Sequence, residues 1–361
     1  MNKLTRVVIF YGTRPEVIKV APIIHELNKH KNIKTIVCHT GQHKELTLEL
    51  EDIFNIKVDY RLSFVNRGLN YNLAEIIKKS NTLLNKLKPD LVLIQGDTTT
   101  VMAVALTSFN LGIKVGHIEA GLRSFNLREP FPEELNRKIA TTCSHYHFAP
   151  TLTAKENLLK EGVAENSIWV TGNTVIDALT YIKRKFDIAI TTQKIILITA
   201  HRRENHGQPL LKICNAVSKL SKQYPDFTFI WPLHPNPNVY KIVKEKLVGL
   251  TNVSLIEPLG YNKLIELMAS CYLIWTDSGG IQEEVPSLMK PVLILRNVTE
   301  RPEVVTSGFG ILCGTDEDIL VNKTAELIND SKKREEMIKG SNPFGEGSIA
   351  KNIVSIINDQ A

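Results

Sequence analysis

The 361-residue sequence lacks an apolar run that could cross a membrane, for which about 18 consecutive apolar residues are needed. The apolar run near its start, in MNKLTRVVIFYG, is also too short for the hydrophobic region of a signal peptide. These two absences favour a cytoplasmic protein that makes no membrane contact.

Cysteine is scarce and scattered along the chain. The five cysteines never stand in a C-x-x-C spacing, and they are Cys38, Cys143, Cys214, Cys271 and Cys313. An odd number of widely separated cysteines argues against a disulfide framework and against a zinc site built from thiolates. We expect all five to be buried thiols.

The common catalytic and cofactor motifs are missing as well. The sequence contains no P-loop, no H-E-x-x-H, no G-x-S-x-G and no EF-hand pattern. GFGILCG at 308–314 approaches a dinucleotide fingerprint, but Cys313 replaces its third glycine, so we interpret it as a loop and a strand. The net charge of +6 suits an anionic substrate, while no basic tract indicates a nucleic acid. We therefore predict no metal, no cofactor and no nucleic-acid partner.

Short β-branched runs alternate with longer segments of helical period, a pattern typical of a doubly wound parallel α/β sheet. Five runs precede the segment 183–193, which has no core pattern, and five follow it. The runs are RVVIFYG, IKTIVCH, LVLIQGD, KVGHIEA and HYHFAP, then KIILITA, FTFIWPLH, VSLIEP, YLIWTD and PVLILR. The pattern predicts two Rossmann-like domains facing each other across a cleft, over residues 1–182 and 194–346.

Polar residues follow the strand ends, where open α/β sheets bind their ligands. Asp97 comes after LVLIQ and Glu119 after VGHI, so we expect their carboxylates to converge and to share acid and base chemistry. A helix cap is the alternative for each. In REPFPEELNRK a helix begins at Pro132, and Glu133 and Arg137 stand at i,i+4, where a surface ion pair is the alternative.

The second half of the chain carries its own polar strand exits. His201 lies beside Arg202 and Glu204, which favours acid or base chemistry over a structural histidine, and His234 gives a weaker version of the same pattern.

The stretch 276–288, TDSGGIQEEVPSL, places two glycines at the start of a helix, where an anion can approach the backbone, and Glu284 could accept ribose hydroxyls. Capping by Asp277 or Ser278 is the alternative. The residues alone indicate a nucleotide or sugar-nucleotide enzyme and leave the reaction open.

Ten collinear motifs between residue 8 and about 350 resemble the non-hydrolysing UDP-N-acetylglucosamine (UDP-GlcNAc) 2-epimerase family. They are GTRPEVIKVAP, TGQH, GDTTT, HIEAGLRS, PFPEELNR, VTGNTVID, TAHRREN, HPNP, DSGGIQEEVPSLMKPVLILRNVTERPE and NPFGEGSIA. The resemblance implies a fold of the glycosyltransferase-B type, with a C-terminal segment at 347–361 that returns to the first domain. It also implies a homodimer and a supply of N-acetylmannosamine (ManNAc) for bacterial surface polysaccharide.

The activity implied by the resemblance is a cofactor-free interconversion of UDP-GlcNAc and UDP-ManNAc, by elimination and re-addition of UDP through a 2-acetamidoglucal. The catalytic positions matched by motif are Asp97, Glu119, Glu133, Arg137 and His201. The substrate-binding positions matched are Arg14, Lys19, His234, Ser278, Gly279, Gly280, Glu284 and Arg301. An allosteric UDP-GlcNAc site would involve Gln42, Arg67, Arg202 and Glu204. Glu45 stands where relatives often have glutamine, and its charge would repel a nucleotide's phosphates.

Three alternative activities stay open at this point. The chain could be a 2-epimerase of a related sugar nucleotide, either UDP-2,3-diacetamido-glucuronate or an N-acetylfucosamine precursor, or it could be a hydrolysing 2-epimerase. A glycosyltransferase of the same fold is the third alternative, since fold alone does not decide the reaction. The acidic set in the first domain favours the epimerase, because a transferase has no need of such a cluster.

Overall fold

The computed structural model describes residues 4–233 and 236–360, apart from the side chains of residues 44–46, 203, 237 and 238. The chain divides into two compact units, Met1–Ala178 with Gly347–Ala361 and Leu179–Glu346. The division at Ala178 falls inside a helix, and the segment 183–193 begins with the end of that helix.

The first unit is built on a seven-stranded parallel sheet with the order β3-β2-β1-β4-β5-β6-β7. Its strands are β1 Thr5–Tyr11, β2 Ile33–His39, β3 Tyr60–Arg61, β4 Leu91–Gln95, β5 Lys114–Ile118, β6 Tyr146–Ala149 and β7 Ile168–Val170. Its helices are α1 Arg14–Leu27, α2 Lys44–Ile53, α3 Leu69–Leu87, α4 Thr99–Asn110, α5 Glu133–Cys143, α6 Leu152–Lys160 and the start of α7 Val175–Lys185, with a 3₁₀ turn at Glu165–Ser167. All of β4 is buried, as expected for a central strand that is covered on both faces.

The second unit has a six-stranded parallel sheet with the order β10-β9-β8-β11-β12-β13. Its strands are β8 Ile195–Thr199, β9 Thr228–Pro232, β10 Val253–Ile256, β11 Leu273–Thr276, β12 Val292–Ile294 and β13 Gly310–Leu312. Its helices are α8 Gln208–Gln223, α9 Pro237–Leu247, α10 Tyr261–Ser270, α11 Gly279–Glu284, α12 Pro302–Thr306, α13 Glu317–Asn329 and α14 Ser331–Met337, with 3₁₀ turns at Arg203–Asn205 and Val285–Leu288. Trp231 and Trp275 lie fully buried in its core.

The last helix, α15 Ile349–Gln360, belongs to the first unit and packs against α1. The Asp177 carboxylate accepts a hydrogen bond from the Ala350 backbone at 3.1 Å, and Asn32 Nδ2 donates to Asn358 Oδ1 at 2.6 Å. The expected return of the C-terminal segment is confirmed.

The predicted fold class, two parallel α/β domains, is confirmed. All ten runs become strands, and GFGILCG contains β13, as the loop-and-strand interpretation required. The short strands β3 and β7 were not predicted, because two or three residues are too few to show a hydrophobic pattern.

The five cysteines are buried and free, as expected. Burial raises the pKa of the Cys214, Cys271 and Cys313 thiols to about 12. Across residues 4–233 and 236–360, no helix combines the length and the apolar character that a membrane span needs.

Candidate active site

The acidic pair of the first unit stands where two neighbouring strands end. Gln95 of β4 is in register with Ile118 of β5, and the Gly96 N–H donates to the Ile118 carbonyl at 3.0 Å. Asp97 and Glu119 therefore leave adjacent strands at the same edge, as the sequence predicts. Glu119 has φ +64°, a left-handed conformation that is uncommon for a residue with a side chain.

The Glu119 carboxylate is buried, with 8% of the residue exposed, and its Oε2 is the centre of a cluster. It accepts hydrogen bonds from Gln95 Nε2 at 3.1 Å and Asn173 Nδ2 at 2.9 Å, and it forms an ion pair with the buried Lys19 ammonium. Because a buried charge is costly unless it is paired and hydrogen-bonded, these partners hold the carboxylate in one place. The family resemblance implies that Lys19 lies near the nucleotide, and this stays a prediction; within the first unit its ammonium pairs with Glu119.

Asp97 is bound by Arg137, which is itself bound by the buried Glu134. Arg137 donates from Nε and Nη2 to Asp97 Oδ2 at 3.0 and 2.7 Å, and from Nη1 to Glu134 Oε2 at 3.1 Å. Glu134 is fully buried and accepts two backbone N–H bonds, from Ser124 at 3.0 Å and Phe125 at 3.1 Å. The Arg137 fork therefore joins Asp97 to the first turn of α5.

The spacing in α5 favours Glu133 as the partner of Arg137, and this pairing stays a prediction, while the guanidinium contacts the neighbouring Glu134. Glu133 lies half-buried in the first turn of α5, where the helix dipole favours a carboxylate. The contribution of Glu133 to catalysis stays a prediction.

Two buried histidines lie behind the Asp97 turn. His117 and His147 are in register on β5 and β6, and the His117 Nε2–H donates to the Gly96 carbonyl at 2.7 Å. Burial lowers the pKa of His117 to about 3 and that of His147 to about 4. Both rings are therefore neutral at physiological pH, and His117 is a permanent donor to the peptide that precedes Asp97.

In the second unit, Asp277 organises the loop that contains His201. Asp277 is fully buried, and its Oδ2 accepts from the His201 N–H, the Arg202 N–H and Asn205 Nδ2, each at 2.9 Å. The His201 ring is exposed, with Nδ1 at 3.4 Å from Asp277 Oδ1. From the sequence, Asp277 was a possible cap of the helix that follows it. In the structure its carboxylate binds the loop that follows β8.

The two glycines and Arg301 come together at the start of α11. A Cβ added at Gly279 would lie 2.9 Å from the Arg301 guanidinium, while one added at Gly280 would meet, among the residues that the structure describes, only Ser278 Oγ, at 4.0 Å. Arg301 donates to Glu283 Oε1 and to Glu300 Oε2, both at 2.9 Å. An arginine thus packs against the first glycine, and space is left beside the second.

The remaining expected site residues are spread over both units. Arg14 is the half-buried first residue of α1, and Glu284 Oε1 accepts from Tyr261 Oη at 2.6 Å. His234 and the side chain of Glu45 lie outside the described residues, so what the sequence predicts for them stays a prediction.

The proposed allosteric positions also divide between the units. Gln42 Oε1 accepts from the Thr100 N–H at 3.1 Å, and the exposed Arg67 lies over the Tyr71 ring at 5.3 Å. In the second unit Glu204 pairs with Arg296 at 2.9 Å. Burial, followed by repulsion from Arg296, lowers the pKa of Arg202.

A family model described as UDP-N-acetylglucosamine 2-epimerase matches residues 25–358. The chain belongs to this family. The UDP-N-acetylglucosamine 2-epimerase of Neisseria meningitidis serogroup A is 45% identical to it, over 98% of this chain and 99% of that protein.

Two solved structures of the UDP-GlcNAc 2-epimerase family show the same fold. The Neisseria meningitidis UDP-GlcNAc 2-epimerase bound to UDP-GlcNAc has a TM-score of 0.94 and 44% identity, covering 98% of this chain and 100% of that one. The Methanocaldococcus jannaschii enzyme in complex with UDP-GlcNAc and UDP has a TM-score of 0.84 and 34% identity, covering 98% and 100%.

Sequence reasoning did not single out several residues that support the acids of this UDP-GlcNAc 2-epimerase family member. Gln95 is the last residue of β4, and Asn173 lies in the VTGNTVID motif, which served only to identify the family. Glu134 was not singled out because it stands at i,i+3 from Arg137, whereas only the i,i+4 spacing of its neighbour Glu133 was considered.

Proposed function

We propose that this protein catalyses the reversible epimerisation of UDP-GlcNAc at carbon 2, giving UDP-ManNAc. The observation that carries the proposal is the acid pair at the ends of β4 and β5, each acid with its own buried cation, in a chain of the UDP-N-acetylglucosamine 2-epimerase family. The similar structures from Neisseria meningitidis and Methanocaldococcus jannaschii contain UDP-GlcNAc, which supports this substrate.

The chemistry must remove a proton that is not acidic, because carbon 2 bears an acetamido nitrogen and is not alpha to a carbonyl. In the proposed reaction a carboxylate takes this proton, a double bond forms between carbons 1 and 2, and the bond from carbon 1 to the UDP oxygen breaks. UDP leaves with the electron pair and 2-acetamidoglucal remains. UDP then attacks carbon 1 again while carbon 2 receives a proton on the opposite face.

This sequence needs a base and an acid that stay in place while charge moves. Glu119 has three donors aimed at one oxygen, and the Arg137 fork fixes Asp97, so neither carboxylate has to reorganise during turnover. We assign the acid and base roles to this pair, with Glu133 and His201 as further members. The proton donor and acceptor are then separate groups, as protonation on the opposite face requires.

The nucleotide is assigned to the second unit. We propose that the diphosphate lies at Gly279 and Gly280 beside Arg301 and Ser278, with the other matched positions Arg14, His234 and Glu284 completing the substrate site. A homodimer, a cytoplasmic location, allosteric control and delivery of ManNAc to a surface polysaccharide belong to the same proposal and rest on the family resemblance.

Proton NMR of the purified protein with UDP-GlcNAc in heavy water tests the reaction. We expect UDP-ManNAc to appear with deuterium at carbon 2, with loss of the carbon-2 proton signal in the remaining UDP-GlcNAc and little free UDP. Glu119→Gln should slow the exchange by about 10²–10⁴-fold or more. The matched control Glu156→Gln changes an exposed carboxylate of α6 in the same unit and should leave the exchange intact.

Each alternative has its own signature in this experiment. Free ManNAc with an equal amount of UDP would identify a hydrolysing enzyme. UDP-ManNAc that retains its carbon-2 proton would contradict elimination with solvent exchange. An inert UDP-GlcNAc sample would overturn the proposed substrate, and the related sugar nucleotides and glycosyl acceptors would then be assayed.

A further inference from the structure

One buried carboxylate of the first unit has no part in the proposed chemistry. Glu16 lies in the first turn of α1 with 1% of the residue exposed. Its Oε2 accepts the backbone N–H groups of Gly12 at 2.9 Å and Thr13 at 2.7 Å, and its Oε1 accepts the Thr98 hydroxyl at 2.8 Å. The first two contacts cap the helix, whereas the third reaches the residue that follows Asp97.

Thr98 connects this contact to the Asp97 turn. Its hydroxyl donates to Glu16 and accepts from the Val101 N–H at 3.4 Å, so it also caps α4. Since Asp97 and Thr98 share a peptide bond, any displacement of Thr98 moves the backbone that carries the Asp97 carboxylate.

The α1 turn and the turn containing GDTTT are also in tight contact. A Cβ added at Gly12 would lie 2.2 Å from Thr40 Oγ1 and 2.3 Å from Thr100 Oγ1, two hydroxyls that are hydrogen-bonded to each other at 2.7 Å. The close approach leaves room only for glycine. Glu16 therefore acts across an interface that is already packed.

The same helix reaches the second acid. Glu16 and Lys19 stand at i,i+3 on α1, which places them on one helix face. Lys19 pairs with Glu119, while Glu16 binds Thr98 beside Asp97. One rigid helix thus contacts the supports of both acids.

We propose that Glu16 is a positioning residue for the epimerisation, which sets the Asp97 turn, through the Thr98 hydroxyl, relative to the helix that holds Glu119. The proposal rests on the proposed function. A shift of about 1 Å in a catalytic group can reduce the rate about 100-fold, so a bond that fixes the distance between two acids has a kinetic effect. Substrate binding should depend on it much less.

Thr98→Val tests the bond with little change of shape. We expect kcat for UDP-GlcNAc to fall about tenfold or more, with KM within about twofold, because only the placement of an acid changes. Thr98→Ser keeps the hydroxyl and should recover most of the lost rate. The matched control is Thr151→Val, which removes the threonine cap of α6, where Thr151 Oγ1 accepts from the Ala154 N–H at 3.2 Å.

The double variant separates positioning from general loss of stability. Glu16→Gln replaces the carboxylate that accepts the Thr98 hydroxyl and should lower kcat, and Glu16→Gln combined with Thr98→Val should be no slower than the slower single variant, since both changes alter the same contact. If Glu16→Gln fails to fold, the comparison of Thr98→Val, Thr98→Ser and Thr151→Val still decides.

The outcomes distinguish this proposal from the proposed function. Thr98→Val with the kcat of Thr151→Val, or a double variant whose losses multiply, would overturn the positioning role while the epimerase activity stands. A wild-type protein that leaves UDP-GlcNAc unchanged would overturn the proposed function, and the positioning role with it.

Discussion

The burial of Glu16 makes the stability of the first unit depend on pH in a way that one substitution removes. Burial raises the pKa of this carboxyl from its ordinary 4.5 to about 7, against the hydrogen bonds from the Gly12 and Thr13 backbone and from Thr98, which lower it. The difference between 4.5 and about 7 corresponds to about 3 kcal/mol.

The sign follows from proton binding. The folded protein holds the Glu16 proton more tightly than the unfolded chain, so this contribution to stability is complete below about pH 4.5 and is lost as pH rises through about 7. Glutamine at position 16 is neutral throughout. The free energy of unfolding of the wild type, minus that of Glu16→Gln, should therefore fall by about 3 kcal/mol between pH 4.5 and 8.

The difference in free energy of unfolding is measured by urea titration, with amide hydrogen exchange of peptides from β1 and β4 as the signal for unfolding of the first unit. The two chains are compared at each pH, so every other titrating group cancels. Glu156→Gln, at an exposed position of α6, should run parallel to the wild type. A difference between wild type and Glu16→Gln that stays constant with pH, or grows as pH rises, would refute the reasoning.

Other substitutions test the proposed roles directly. Glu119→Gln should reduce turnover by about 10²–10⁴-fold or more while UDP binding, measured by calorimetry, stays within about twofold, and loss of UDP binding would contradict its assignment. Gly280→Val should remove UDP affinity without unfolding the protein, because among the described residues a Cβ there meets only Ser278 Oγ, at 4.0 Å; unchanged affinity would argue against a diphosphate at this position. The lowered pKa values of His117 and His147 mean that the unfolded chain takes up protons below pH 6.5, so each ring should cost about 3 kcal/mol of stability by pH 4. His117→Gln should reduce this acid dependence by about one proton in urea titrations, and an unchanged slope would contradict the assignment of a buried neutral ring.

The strand predictions succeeded because they depend on local pattern. An apolar run such as LVLIQ predicts a strand that is buried on both faces. Parallel connectivity then places the carboxyl end of this strand beside the carboxyl end of KVGHI. For the same reason the sequence could place Asp97 and Glu119 at one edge of one sheet. The strand exit at Asp277-Ser278 was also readable, although the function of the Asp277 carboxylate was not.

The residues that bind and position Asp97 and Glu119 come from parts of the chain that are distant in sequence. Glu16 and Thr98 are 82 residues apart, and Arg137 and Asp97 are 40 apart. Whether such side chains meet is set by the rotation of a helix about its axis and its height above the sheet, to within about an ångström. Neither quantity leaves a periodic signal in the sequence.

By itself, then, the sequence determined the two parallel sheets, the edge at which the acids lie and the family to which the chain belongs. Only the tertiary structure decided that Arg137 binds Glu134 and Asp97, that Lys19 pairs with Glu119, and that Glu16 reaches Thr98. The physical reason is that hydrophobic periodicity records which face of an element is buried, whereas a hydrogen bond or an ion pair requires two atoms to come within about 3 Å after all the elements have packed.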